Sequence, residues 1–318
     1  MAGQEYLFRT MVEVPEWRNP MSVTDHSVFL GSCFAQYMGE RFQSFGLSAL
    51  CNPLGVLYNP ESIRLQVRAA LHADEVEIPV FKAERDWRSW WAGTLISGKD
   101  EQECRTVTEG ALQMLRLSLI SADWLFLTLG TSVCYRLQAN GEVVANCHKE
   151  PHGCFREDWL SMPACADALS ALTDDLLGEN PELRIVLTVS PFRYAKYGFH
   201  GNQVAKSTLI LAVEEVMRRY PDRVSYFPAY EIVLDELRDY RFYAEDMLHP
   251  SGVAVDYIWQ RLVQSAMNPA MRKYLQEYAP IRSGLCHKPL NPEAAAYRKF
   301  LANLEEKAKM LRVKYNME

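Results

Sequence analysis

Nowhere does this sequence run apolar for the ~20 residues that a membrane-spanning helix needs, so no span is expected. Its first residues, Met1-Ala2-Gly3-Gln4-Glu5-Tyr6, lack the basic-then-apolar layout of an export signal. An excess of positive charge is missing as well: 34 Lys and Arg face 40 Asp and Glu, a formal net charge of −6. That balance argues against a nucleic-acid partner, because phosphate contacts need a basic footprint. Neither an internal repeat nor a low-complexity segment is present. Without an export signal, the 8 cysteines read as free thiols in a reducing compartment, not as a disulfide framework. The expectation is a cytoplasmic globular protein. Its 318 residues can bury a large core, and 48% hydrophobic content is ordinary for that class.

What is present is an alternation. Residues 28–30, 124–129, 184–189 and 224–227 are short apolar runs that read as strands. Helical spacing marks residues 34–45, 60–71, 111–119, 208–219 and the stretch from Ala254 onward. Strands separated by helices predict an α/β fold with a mainly parallel sheet covered on both faces. The segment 76–103, with Trp87, Trp90 and Trp91, is irregular and is expected to form a sheet edge or an insertion over the core or site. After Pro280 and the prolines at 289 and 292, residues 293–316 form a charged helix with Tyr297, Phe300, Leu301, Leu304 and Leu311 on one stripe. This divides the chain into a main domain over 1–275 and a helical extension over 276–318. The stripe predicts packing back onto the main domain, with a homodimer contact as the alternative.

Two places carry chemistry. Gly31-Ser32-Cys33-Phe34-Ala35 follows the first strand and opens a helix, so Ser32 stands at a strand-to-helix junction where backbone N–H groups favour an anion. Serine is also a common helix cap. Far downstream lies Asp246-Met247-Leu248-His249-Pro250. Serine needs a base, usually His, oriented by a carboxylate. A spacing of three lets one tight turn join Asp246 and His249. Pro250 is expected in the first turn of the next helix. The reading requires the Ser32 hydroxyl and the imidazole to meet at one accessible crevice beyond the strands' carboxyl ends.

These residues carry a family resemblance. The run at 31–35 resembles the GSCFA family, which belongs with the SGNH/GDSL-type hydrolases. Asn52-Pro53-Leu54-Gly55-Val56-Leu57-Tyr58-Asn59-Pro60, Leu129-Gly130-Thr131-Ser132, Val144-Ala145-Asn146-Cys147-His148-Lys149 and Leu187-Thr188-Val189-Ser190-Pro191 resemble its further blocks. With the run 226–250, the resemblance covers roughly residues 6–268. It implies a three-layer α/β/α fold with a flavodoxin-like sheet, Ser32 as nucleophile, and Asp246 and His249 as its partners. It also implies a serine esterase or deacetylase acting on an O-acylated carbohydrate or similar small ester, without a cofactor. An O-acyltransferase using the same site, or a noncatalytic ligand binder, are the alternatives.

One departure bears on that implication. SGNH enzymes typically carry Gly-x-Asn-Asp in the third block, whereas this chain reads Gly130-Thr131-Ser132-Val133 and lacks the oxyanion-donating asparagine. Substitutes are sought among the side chains of Asn52, Thr131 and Asn146 and the backbone N–H groups of Cys33 and Gly55, with Gly130 and His148 also near the site. His148 is read as a pocket residue or a structural one. Cys147, His148, His152 and Cys154 do not have the paired spacing of a tetrahedral metal site. Arg193, Tyr194, Lys196 and Tyr197 form either a contact to a polar or anionic substrate or a plain solvated loop. The run 238–241 is expected to make local ion pairs.

Overall fold

The computed structural model describes residues 9–72, 77–287, 289 and 294–317. Residues 1–6 and the start of the tail helix at 293 lie outside them, as do Val76 and Pro292. Strand β1 (Ser27–Gly31) leads through Ser32 into helix α1 (Cys33–Ser44), and β2 (Ala49–Cys51) precedes α2 (Pro60–Leu71). The Trp-rich insertion holds β3 (Val80–Lys82), β4 (Trp87–Ser89) and β5 (Ser97–Gly98), followed by α3 (Glu101–Ser121) and β6 (Trp124–Leu129). Then come β7 (Val133–Leu137), β8 (Val143–Val144), β9 (Phe155–Trp159), α4 (Met162–Glu179), β10 (Arg184–Val189), α5 (Gly198–Arg219) and β11 (Val224–Tyr226). A single turn, α6 (Ala229–Glu231), runs into a π-helical turn at Ile232–Glu236. Helices α7 (Gly252–Ala266), α8 (Pro269–Leu285) and α9 (Ala295–Lys314) close the chain.

Five strands form one sheet in the order β11-β10-β6-β1-β2, every pair parallel. Read from the β2 edge this is the 2-1-3-4-5 order of flavodoxin-like sheets, whose switch point lies between the first and third strands. Here that point lies between β1 and β6. The strand period of two separates the faces. Val28, Leu30, Leu125, Leu127, Ile185 and Leu187 point into an aliphatic core with α2–α5. Phe29, Trp124, Phe126 and Val186 point the other way, into an aromatic core with α1, α7 and α8. Phe29 and Phe126 stack at 4.6 Å, and Phe42 meets Trp259 edge-on at 5.3 Å. The architecture is a three-layer α/β/α sandwich, as expected.

Several boundaries differ from the sequence reading, each for a local reason. Helix α3 begins at Glu101 because Asp100 caps it, accepting from Glu103 N at 2.8 Å; its first turns bury only Cys104 and Thr108 and show no apolar stripe. Helix α5 begins at Gly198, in a stretch whose glycines hide the helical signal. Pro250 is not in the first turn of α7: Ser251 is the cap, accepting from Ala254 N at 3.3 Å. Pro280 does not break the chain but sits inside α8, whose face of Met271, Tyr274, Leu275, Tyr278 and Ile281 is buried and outweighs the lost hydrogen bond. The insertion pairs as the antiparallel sheet β3-β4-β5, while a second antiparallel sheet, β8-β7-β9, had no counterpart in the reading. Helix α9 lies on α8 with Leu304 buried, although Phe300 of the predicted stripe stays 42% exposed. No helix among the described residues is long and apolar enough to cross a membrane.

The N-terminal segment is clasped to the end of α7. Trp17 N and Met21 N donate to the carbonyls of Ser265 and Ala266, and Asn268 N donates back to Met21 O. Below that, the buried Glu236 carboxylate accepts from Val12 N at 2.7 Å and from the Arg261 guanidinium at 2.5 Å. Arg261 also donates to Val12 O at 2.7 Å.

Gly31 permits the closest approach of β1 to β6. Its φ is +121°, and a Cβ there would lie 2.1 Å from the Thr128 carbonyl oxygen. Gly31→Ala is therefore expected to destabilise the fold by at least about 3 kcal/mol. Gly110→Ala, in an exposed turn of α3 with open space at the added methyl, is expected to stabilise by about 0.5–1 kcal/mol. Urea unfolding midpoints of the two variants check both directions.

Candidate active site

Ser32 occupies the cap position of α1, immediately beyond β1. Its N–H donates to Thr128 O at 3.0 Å, tying it to β6 across the switch point. Its Oγ turns back to accept from Phe34 N at 3.3 Å, the geometry that a serine cap favours. The residue is fully buried, so the exposed hydroxyl expected at a crevice is instead enclosed by this inward turn.

The downstream motif forms a self-sufficient turn. Asp246 Oδ1 accepts from the N–H groups of Leu248 and His249, each at 2.9 Å, while Met247 takes a φ of +58°. Asp246 Oδ2 lies 2.5 Å from His249 Nδ1. The His249 N–H, the imidazole and then the Leu248 N–H hold this carboxyl down at about 2. An ionised Asp246 keeps the proton on Nδ1 and leaves Nε2 as an acceptor. Nε2 has no hydrogen-bond partner among the described residues, so the imidazole and Ser32 Oγ are not hydrogen-bonded to each other.

Two contacts set the turn against the sheet's carboxyl edge. Leu248 O accepts from Arg193 N at 3.0 Å, in the loop after β10, and Phe192 packs on the imidazole at 4.3 Å. The charge of Asp246 also reaches the Cys33 thiol beside Ser32. Burial pushes that thiol up, the neighbouring Lys206 ammonium opposes the rise, and Asp246 adds to it. The two ends of the motif set thus converge on one edge.

The remaining candidates fall into three groups. Asn52, in the left-handed region at φ +38°, accepts from Gly31 N at 2.9 Å and donates to Gln36 at 3.3 Å, so it braces the Gly31–Ser32 turn. The Gly55 N–H is taken by Asn52 O at 2.8 Å, and the N–H groups of Gly130 and Thr131 both donate to Tyr58 O. Thr131 and Asn146 come together, lining a cavity of about 130 Å³ with Tyr58, Tyr135, Tyr194 and Tyr197. His148 is elsewhere, buried between the two small sheets. Its Nε2 meets Ser89 O at 3.0 Å, and its ring packs edge-on against Phe81 and Trp90. Burial drives its pKa down to about 4, as befits a neutral structural imidazole. Among the described residues no group of three or more His, Cys, Asp or Glu could hold a metal ion.

Lys206 was missed. It is fully buried, donates to Ser190 O at 2.7 Å at the end of β10, and lies 5.5 Å from the Tyr230 ring. A signal existed: Asn202, Lys206, Leu209, Val213 and Val216 share the buried stripe of α5, so a lysine interrupts an otherwise inward face. Burial pushes its pKa down to about 7. The unfolded chain therefore holds this proton to higher pH than the folded one. The charged form weakens the fold below about pH 7, and that cost disappears as pH rises toward the ordinary lysine value. Lys206→Met is expected to raise stability at pH 7 by about 1–4 kcal/mol and to flatten the gain between pH 7 and about 10. Urea titrations at both ends of that range measure it.

An acetyl xylan esterase (Est2A) from the rumen bacterium Butyrivibrio proteoclasticus is similar at 10% identity and a TM-score of 0.38, over 78% of this chain and 65% of that one. The chain thus spans just under two thirds of that protein's length. None of the curated proteins matches. The description "GSCFA domain protein, C-terminal domain" matches residues 278–318, covering the end of α8 and α9. The GSCFA family itself matches residues 27–262, from the first strand of the sheet into α7, and the chain belongs to that family.

Proposed function

We propose that this chain is an SGNH-type serine hydrolase that cleaves an ester, with an O-acylated carbohydrate or similar small ester as substrate. The observation that carries the reading is the Asp246–His249 pair, whose Nδ1 is held by the carboxylate and whose Nε2 has no partner among the described residues. In this reading a rotation of the Ser32 side chain away from Phe34 N brings Oγ to Nε2. Catalytic hydrogen bonds of this kind are often long in unliganded enzymes and tighten with substrate. His249 then takes the Ser32 proton as Oγ attacks the carbonyl, and the imidazolium protonates the leaving alcohol. Water completes hydrolysis; a sugar hydroxyl in its place makes the same site an O-acyltransferase. The Cys33 N–H, at the start of α1, faces the developing oxyanion, aided by the helix dipole.

A second reading, a noncatalytic binder, is favoured by one observation. Ser32 Oγ is enclosed and engaged as a cap, and the Gly55 and Gly130 N–H groups already have backbone partners. A serine-directed fluorophosphonate separates the two. The expected result is covalent labelling that disappears in Ser32→Ala and slows by about 10²–10⁴ in His249→Ala. Labelling that survives Ser32→Ala removes the nucleophile, and an unlabelled native chain without ester turnover supports the binder. Because the Asp246 carboxyl titrates near 2, the rate–pH profile is expected to show no inflection from it above about pH 4.

A further inference from the structure

Beside the His249 turn lies a cleft of about 360 Å³ that the proposed chemistry does not use. Two arginines, Arg193 and Arg238, line it. Neither pairs with a carboxylate among the described residues, unlike Arg241, whose guanidinium reaches Asp239 at 3.8 Å. The local ion pairs expected over 238–241 therefore leave Arg238 out. The Arg193 guanidinium is fixed in place, 4.0 Å from the Phe199 ring centroid and 5.6 Å from that of Tyr243. A guanidinium held over aromatic rings retains N–H donors that can pair with an oxyanion. Gln203, also in the wall, accepts from Tyr230 OH at 2.6 Å, which leaves its amide NH₂ to donate.

We infer that this cleft holds the carboxylate of an acidic sugar unit. Asp239, on the same wall and paired with Arg241, adds a negative charge that a singly charged carboxylate tolerates better than a doubly charged phosphate does. The exposed Tyr240 and the Tyr243 ring offer flat apolar faces to the sugar's C–H side. The cleft adjoins the turn that carries the imidazole. The backbone of Arg193 is hydrogen-bonded to Leu248 O, next to His249, and Tyr243 pairs with Pro250. This deepens the esterase reading and rests on it for the bond cleaved: the substrate is an acylated saccharide whose neighbouring unit, or own ring, is a uronate.

Calorimetric titration of the full chain with glucuronate, glucose and inorganic phosphate at millimolar concentrations tests the cleft without requiring turnover. Glucuronate is expected to bind and glucose not, with phosphate weaker than glucuronate. Arg238→Gln, a rim substitution that leaves the packed rings alone, is expected to weaken glucuronate at least about tenfold. Ser32→Ala is expected to bind as the native chain does, so loss of the hydrolase reading leaves this result standing. Equal binding of glucuronate and glucose, tighter binding of phosphate, no binding at all, or an unchanged Arg238→Gln overturns the assignment.

Discussion

The approach of β1 to β6 at Gly31 is the constraint on which the rest of the edge depends. Only a residue without Cβ lets the end of β1 lie against the Thr128 carbonyl at a φ of +121°. That contact delivers the Ser32 N–H to Thr128 O and starts α1 at the switch point of the sheet. Asn52 completes the brace by accepting from Gly31 N, and Leu57 N donates to Gly31 O. Three segments far apart in sequence are thereby locked around one turn before any catalytic question arises. Each block of the family pattern in this part of the chain has a backbone task that needs no substrate.

That dual service explains why the sequence was legible in some places and opaque in others. The strands β1, β6 and β10 were readable because both of their faces are buried, so their runs are continuously apolar, whereas the half-buried edge strand β2 was not read. The strands β7 to β9 were not read either, since Arg136 pairs with Asp158 and Glu157 with Lys196, which leaves no alternation to see. Helix α8 was hidden by Pro280, whose cost is overridden by a buried aromatic face that only tertiary packing reveals. At the site, the spacing of Asp246 and His249 allowed their pairing, because one tight turn can join them, and the family resemblance implied it. The enclosure of Ser32 did not follow: whether a hydroxyl faces outward or back to its own helix is a rotamer choice, and sequence pattern is silent on rotamers. His148 was ambiguous for the same reason, its neighbours Ser89, Phe81 and Trp90 being supplied by a distant insertion.

The electrostatics of the edge are uneven. Asp246 holds its negative charge easily, exposed and surrounded by donors, while Lys206 sits in the core beneath the neighbouring strand with a carbonyl as its hydrogen-bond partner. Cys33 lies within the field of both. A buried ammonium of this kind is costly in the folded state, so its presence against the end of β10 fits a local polar task better than a contribution to stability. The Ser190 carbonyl it engages belongs to the residue whose N–H meets Leu129 O, so the lysine ties α5 to the end of β10 where β10 is joined to β6.

The clasp between residues 12–21 and the far end of α7 has a kinetic corollary. Its partners are separated by more than two hundred positions, as with Val12 and Glu236 at 224 apart. A ribosome emits the clasped segment well before its anchor, so until α7 emerges residues 12–21 have nowhere to dock. The sheet can assemble from β1 to β11 in order of emergence, with its aromatic side roofed only once α7 and α8 are released. Nascent chains of this protein thus carry an aromatic surface only partly covered by α1 until α7 and α8 emerge, and their safe passage depends on how fast that helical layer arrives.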